Sequence, residues 1–303
     1  MTILQEKGES FTHKIYAIDN GITSTLNNKV FPDFYQYYDA NAITFDYNTL
    51  KSVDVIVHMA GLASPAQYKK YPLETIDVAI ELTRKLLEHS IKWKSKFIFF
   101  SSSEVYGNPD VNNIPTKEDY KGYVSSMGPR ACYDESKRMG ETLCYVYSEY
   151  YNVYTSIIRP FNVYGPGMNK KDYRMIPNLM KSAIQNKKIS IYGDGQQTRT
   201  FCYLDDAIYG ILKVIENAKS GSVYNIGNPN PEISMVSLIE LFNKATGCNV
   251  EYELMPYPAY YPSDEPKRRC PDVNAANEDL GYAPKVGLQE GLAHTYQWCV
   301  KNY

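Results

Sequence analysis

Short runs of consecutive apolar residues alternate with helical periodicity along the first half of the chain. Ile15-Tyr-Ala-Ile-Asp19 reads as a short buried strand ending in an acid, and Val53 to His58 is a second apolar run leading into Met59-Ala60-Gly61. Lys96-Phe-Ile-Phe-Phe100 is a third, followed by Ser101 to Glu104, and Thr155 to Arg159 is a fourth. Thr75 to His89 and Tyr133 to Tyr150 have the spacing of amphipathic helices. Strands alternating with helices predict an α/β fold with a doubly wound parallel sheet. Ligands of such sheets lie outside the carboxyl ends of the strands. Asp19, Ala60-Gly61, Ser102 to Glu104 and Arg159 to Asn162 all fall at such ends. Beyond Gly165-Pro166-Gly167 the pattern loosens into a helix over Ile176 to Asn186 and a strand over Ile189 to Tyr192. Val223 to Gly227 reads as a strand returning to the main sheet, and residues 228–303 as Pro-rich loops and short helices. The chain is thus expected to divide into a main domain over 1–165, to which 193–227 returns, and a smaller lobe over 166–303.

Composition narrows the function classes. At 303 residues with a net charge of −2 and no block of like charges, the chain shows no nucleic-acid or membrane surface. It has no signal peptide and no apolar run long enough to span a bilayer. The six cysteines follow no C-x-x-C pattern and only four histidines are present, so no metal site is expected. Scattered thiols of this kind read as reduced cysteines in a cytoplasm.

The candidate chemistry is concentrated in Gly128-Pro129-Arg130-Ala131-Cys132-Tyr133-Asp134-Glu135-Ser136-Lys137-Arg138. Tyr133 and Lys137 stand four positions apart at the start of a predicted helix, which stacks them on one face. A phenol beside an ammonium is easier to ionise. Such a tyrosine can accept a proton from a sugar hydroxyl while hydride leaves the same carbon. Each candidate also has a plainer reading. The Tyr/Lys pair can be a surface pair, Ser101 to Ser103 a helix cap, and Asp19-Asn20 a turn after a strand. His58 reads as a packing residue at a strand end, and Cys132 as packing and not a nucleophile. Arg199 and Arg269 can be solvated surface charges.

From about residue 14 onward the ordered motifs resemble the extended short-chain dehydrogenase/reductase family of nucleotide-sugar enzymes. They are His58 to Gly61 with Ser64 to Tyr68, Ser101 to Gly107, the Gly128 to Arg138 block and Arg159 to Pro166. Tyr192 to Phe201, Asn225 to Asn228 and Pro266 to Asp272 follow. The resemblance implies a Rossmann-like NAD-binding domain and a C-terminal substrate-binding lobe. It makes Tyr133 the catalytic base, Lys137 its partner and a ribose contact, and Ser102 the third member of the triad. It places Asp19, Asp46, Tyr47, Ala60 and Gly61 along NAD. It places Ser103, Tyr68, Asn162, Arg199 and Arg269 along a nucleotide-sugar substrate. An acid at Asp19 favours NAD over NADP, and arginines suit phosphate.

Within the family, Ser103-Glu104 replaces the Asp-Glu pair of the 4,6-dehydratases, and 4-epimerases tend to have a small neutral residue at position 104. Serine followed by glutamate, with Arg199 in Gln-Thr-Arg, is most similar to the UDP-glucuronate decarboxylase branch, which makes Glu104 a catalytic candidate. The route implied is oxidation at C4 with hydride passing to NAD⁺, loss of CO₂ from the resulting β-keto acid, and hydride return to give a pentose. The family also implies a homodimer formed through the helices over Thr75 to His89 and Tyr133 to Tyr150.

Two departures affect the cofactor half. The family opens with a strand and a Gly-x-x-Gly-x-x-Gly turn whose N–H groups approach the pyrophosphate, whereas only Gly8 occurs among the first twenty residues here. Thr2 to Gly8 reads as the tail of the first helix, so the first strand and glycine-rich loop are expected to be missing. Ala79 and Leu82 stand where the family has Asn and Gly. The expected function is an enzyme, a UDP-glucuronate decarboxylase. A nucleotide-sugar epimerase and a non-catalytic nucleotide-sugar-binding protein are the alternatives.

Overall fold

The computed structural model describes residues 14–23, 32–257 and 266–303. The helix tail expected over Thr2 to Gly8 lies outside them. The chain forms two compact units, Met1–Lys51 and Ser52–Tyr303. In the first, β1 (Ile15–Asp19) pairs in parallel with β2 (Tyr35–Asp39), so that Asp19 lies opposite Asp39 at the carboxyl ends. Aromatic contacts from Tyr38 to Phe45 and from Phe45 to Tyr47, each 5.1 Å between ring centroids, pack the residues that follow.

The second unit holds β3 (Val55–His58), β4 (Lys96–Phe100), β5 (Thr155–Pro160) and β6 (Ser222–Ile226). They form a parallel sheet in the order β6-β5-β4-β3. Phe97, Ile98 and Phe99 of β4 are fully buried, which is the run expected of a strand covered on both faces. The principal helices are α1 (Thr83–Trp93), α2 (Ala131–Tyr151), α3 (Met175–Gln185), α4 (Leu204–Asn217), α5 (Met235–Thr246) and α6 (Leu288–Asn302). Helix α2 packs on the Phe99 side of the sheet. On the other side Ile98, Ile158 and Ile226 meet Ala207 and Val214 of α4. A separate core joins Leu179 and Met180 of α3, Leu238 and Phe242 of α5, and Leu292 of α6. It also takes in Ile189 and Ile191 from a strand paired in parallel with Tyr252–Met255. Among the described residues no helix is long and apolar enough to cross a membrane.

The helix expected over Thr75 to His89 is present and carries one break in its regular ladder: Pro72–Asp77 passes through a π-helical turn over Val78–Leu82 into α1, with helical backbone angles at each junction. At the break His58 donates from Nε2 to the Val78 carbonyl over 3.1 Å. A side chain bonded to a carbonyl of the ladder is a recognised cause of such irregularity. Ala79 and Leu82 are both buried within this turn.

Helix α2 lies close on β4 because Gly140 has no side chain. A Cβ there would stand 2.3 Å from Cζ of Phe99 and 3.1 Å from the Ala79 carbonyl oxygen. Arg159 of β5 adds a second tie, donating to both carboxylate oxygens of Glu141 on α2 at 2.8 and 2.6 Å. A Gly140→Ala substitution is expected to lower the stability of the fold by about 1–3 kcal/mol through overpacking. Urea unfolding measures this, and an unchanged midpoint would contradict so close a contact.

Candidate active site

The site lies at the carboxyl end of β4, where the strand runs into a 3₁₀ turn over Ser103–Tyr106. Ser102 caps that turn, its Oγ accepting from the Glu104 N–H at 3.2 Å, and it shares a second hydrogen bond with the Tyr133 hydroxyl. The serine run therefore is a cap and also touches the phenol. Tyr133 and Lys137 occupy the first two turns of α2, and both are buried. The Tyr133 ring stacks on Tyr68, with centroids 5.4 Å apart and planes inclined by 16°. Lys137 donates from Nζ to the Phe100 carbonyl at 2.7 Å. A Cβ on Gly61 would come within 3.3 Å of that Nζ, so the Ala60-Gly61 turn leaves room beside the ammonium.

The electrostatics differ from the expectation of an easily ionised phenol. Burial, together with the charges of Glu104 and Asp134, pushes the Tyr133 hydroxyl up to about 12, against the opposing hydrogen bond from Ser102 and the charge of Arg174. The ammonium is not permanent either. Burial lowers Lys137 to about 8, and its Nζ points to a backbone carbonyl. An amine that burial makes costly to keep charged is less available to favour the phenolate.

Glu104 is gripped from two sides. Arg269 binds it bidentately, Nη1 to Oε1 at 2.7 Å and Nη2 to Oε2 at 2.8 Å. Arg130 also contacts Oε2 and reaches Asp134 Oδ2 from Nε at 3.2 Å. Arg130, Asp134 and Arg269 are all buried. Burial, with the nearby charge of Glu104, holds the Asp134 carboxyl above the ordinary carboxylate range, while Arg130 and Arg269 oppose the rise. Its Oδ1 is buried without a hydrogen-bond partner.

Ser103 and Tyr68 are buried. Arg199 is buried and donates from Nη1 to the carbonyls of Thr198 at 2.8 Å and Lys267 at 3.2 Å. Arg199 and Arg269 are therefore not surface charges. Asn162, at a left-handed φ of 40°, donates to the Thr200 carbonyl at 2.9 Å. His58 packs in the core as expected, lowered to about 3 by burial and by Lys137. Burial raises the Cys132 thiol, which does not favour a nucleophile. Asp19, Asp46 and Tyr47 belong to the first unit. There Asp19 Oδ1 accepts from the Gly21 N–H at 2.7 Å, Asp46 caps the turn over Tyr47–Thr49, and Tyr47 donates to the Ala42 carbonyl at 2.9 Å. Arg130 and Asp134 are additional residues of the site. The i, i+4 spacing of Arg130 and Asp134 signalled their pairing, but nothing local linked them to Glu104.

The NAD dependent epimerase/dehydratase family model matches residues 4–227. UDP-glucuronic acid decarboxylase 1 of Xenopus tropicalis is 37% identical over 250 residues, covering 82% of this chain and 58% of that protein. UDP-glucuronic acid decarboxylase 6 of Arabidopsis thaliana is 38% identical over 240 residues, covering 79% of this chain and 68% of that protein. The chain thus spans a little over half the length of the Xenopus relative. Among solved structures, UDP-glucuronic acid 4-epimerase from Bacillus cereus in complex with UDP-glucuronic acid and NAD superposes with a TM-score of 0.83 at 28% identity. That match covers 100% of this chain and 94% of the epimerase.

The buried ammonium makes a pH-dependent contribution to stability. Lys137 gives up its proton at about 8 when folded, against an ordinary lysine value of 10.5. Across that window the unfolded chain binds more protons, so stability rises with pH; below it the burial cost is fully present. Relative to a Lys137→Met variant, the wild type is expected to gain stability on the order of 3 kcal/mol over the whole window. Urea titrations of both forms at about pH 7.5 and about pH 9.5 read most of it. A constant difference between the two forms would argue against a desolvated Lys137.

Proposed function

The chain belongs to the NAD dependent epimerase/dehydratase family, and from that premise we propose that it is an NAD-dependent enzyme acting on a nucleotide sugar, specifically a UDP-glucuronate decarboxylase. The observation that carries the reading is Ser102, Tyr133 and Lys137 gathered at one strand end, with Glu104 held between two arginines beside the phenol. The identity to decarboxylases named for UDP-glucuronic acid supports the choice of substrate.

A glycine at position 61, where a Cβ would stand 3.3 Å from the Lys137 Nζ, lets the backbone come close to the ammonium, which supports a role for this turn beside a nicotinamide cofactor. In this reading Lys137 and the Ala60-Gly61 turn hold the ribose of the nicotinamide cofactor. When bound, NAD⁺ supplies a hydride acceptor and a positive ring charge. Tyr133 then takes the proton of the C4 hydroxyl, and Ser102 steadies the phenolate. Asn162 and Arg199 hold the nucleotide, while Ser103, Tyr68 and Arg269 border the sugar. With a ketone at C4 the sugar carboxylate is a β-keto acid, and CO₂ departs as the ketone oxygen accepts the electrons. Residues 166–303, apart from 193–227, which return to the main sheet through β6, act as the substrate lobe. The unpaired state of all six cysteines supports a reducing, cytoplasmic setting.

Incubation with NAD⁺ and UDP-glucuronate is expected to release CO₂ and form a UDP-pentose. Tyr133→Phe should slow this by about 10²–10⁴-fold. Formation of the C4 epimer without CO₂ would favour a second reading as an epimerase, which the Bacillus cereus neighbour supports. Binding of the nucleotide sugar without any turnover would favour a non-catalytic role. A homodimer through α1 and α2 is also proposed. Exposed Ile91, Met139 and Tyr145 on these helices offer apolar contact, and a monomer by light scattering would exclude it.

A further inference from the structure

Arg130 touches both carboxylates near the phenol. It contacts Glu104 Oε2 and reaches Asp134 Oδ2 from Nε at 3.2 Å, and its side chain is buried. Asp134 follows Tyr133 directly on α2, whereas Glu104 comes from the turn after β4. Arg269, from the strand Arg268–Arg269, faces the same carboxylate of Glu104. The cluster pairs two carboxylates, Glu104 and Asp134, with two guanidiniums, Arg130 and Arg269, but its members are not equivalent. Arg269 can hold Glu104 in place only relative to its own strand. Arg130 ties Glu104 to the helix that carries the base.

We propose that Arg130 is a positioning residue that locks the Glu104 carboxylate to Asp134 and so to the Tyr133 end of α2, setting where Glu104 stands against the sugar. Asp134 meets Arg130 through Oδ2, and its Oδ1 is buried, so this carboxyl faces the arginine and not the solvent. Asp134 is the anchor, and Arg130 acts through Glu104 without meeting the reacting atoms. The inference rests on the reading of the site as a nucleotide-sugar active site.

The test is a double-mutant cycle in the full chain, with UDP-glucuronate and NAD⁺. Arg130→Met is expected to lower kcat by about tenfold or more while KM changes by less than about threefold. In a Glu104→Gln background the same change should cost less than about twofold, because residues that act as one unit are not additive. Arg130→Lys, which keeps the charge but not the fork, should recover only part of the loss. Multiplying effects in the cycle, or full recovery with lysine, would overturn the proposal. Asp134→Asn keeps the side-chain shape and enters the same cycle should Arg130→Met fail to fold. Crystal structures of Asp134→Asn or Arg130→Lys provide a readout that needs no turnover. Glu104 is expected to leave its place beside Tyr133, and an unmoved carboxylate would refute the locking role. A wild-type protein with no activity would count against the decarboxylase reading, while the crystallographic result would still decide the role of Arg130.

Discussion

The contact between Gly140 and Phe99 determines how far α2 stands from the sheet, and the site takes its geometry from that separation. Tyr133, Lys137, Gly140, Cys144 and Tyr147 are all buried on this helix. They recur at intervals of three and four, so they form one continuous stripe. The stripe begins as ordinary core against β4 and ends, two turns toward the amino end, in a phenol and an amine. A lifted helix would carry Tyr133 away from Ser102, because one residue belongs to α2 and the other to the end of β4. Packing and chemistry are therefore parts of the same surface.

The charged cluster beyond the phenol imposes a different constraint. Each buried ion costs several kcal/mol in lost hydration, and removing one partner leaves another charge exposed to that cost. Glu104 is protected by the bidentate grip of Arg269, which matches the planar carboxylate. Asp134 is less well served, with one oxygen paired and one bare. Burial and the adjacent negative charge of Glu104 account for its raised pKa. The cluster thus keeps two carboxylates near a phenol that both of them make harder to ionise.

Much of this arrangement was legible in the residue pattern. The strands over Ile15–Asp19, Lys96–Phe100 and Ile189–Tyr192 match their apolar runs, although only Lys96–Phe100 has a continuous buried run, Ile15–Asp19 being half-buried and Ile189–Tyr192 alternating. The juxtaposition of Ser102 with Tyr133 was legible only through family resemblance, since the two meet across a strand end and a helix. The π-helical turn at Val78–Leu82 was not legible, because the histidine that meets its Val78 carbonyl comes from β3, distant in sequence. The buried partners of Glu104 were hidden for the same reason, as Arg130 and Arg269 converge on it from distant parts of the chain. The expected ease of ionising Tyr133 failed because spacing along a helix says nothing about how much water each group has lost.

The hydrogen bond from His58 to Val78 has one more implication. A carbonyl can only accept, so Nε2 keeps the proton and the ring is held in a single tautomer. With its second protonation displaced to about 3, this imidazole remains electrically silent at every pH a cell experiences. A side chain that ordinarily serves as a sensor near neutrality has here become an inert strut. Any inflection near neutral pH arising from this centre must therefore belong to its carboxylates or its amine.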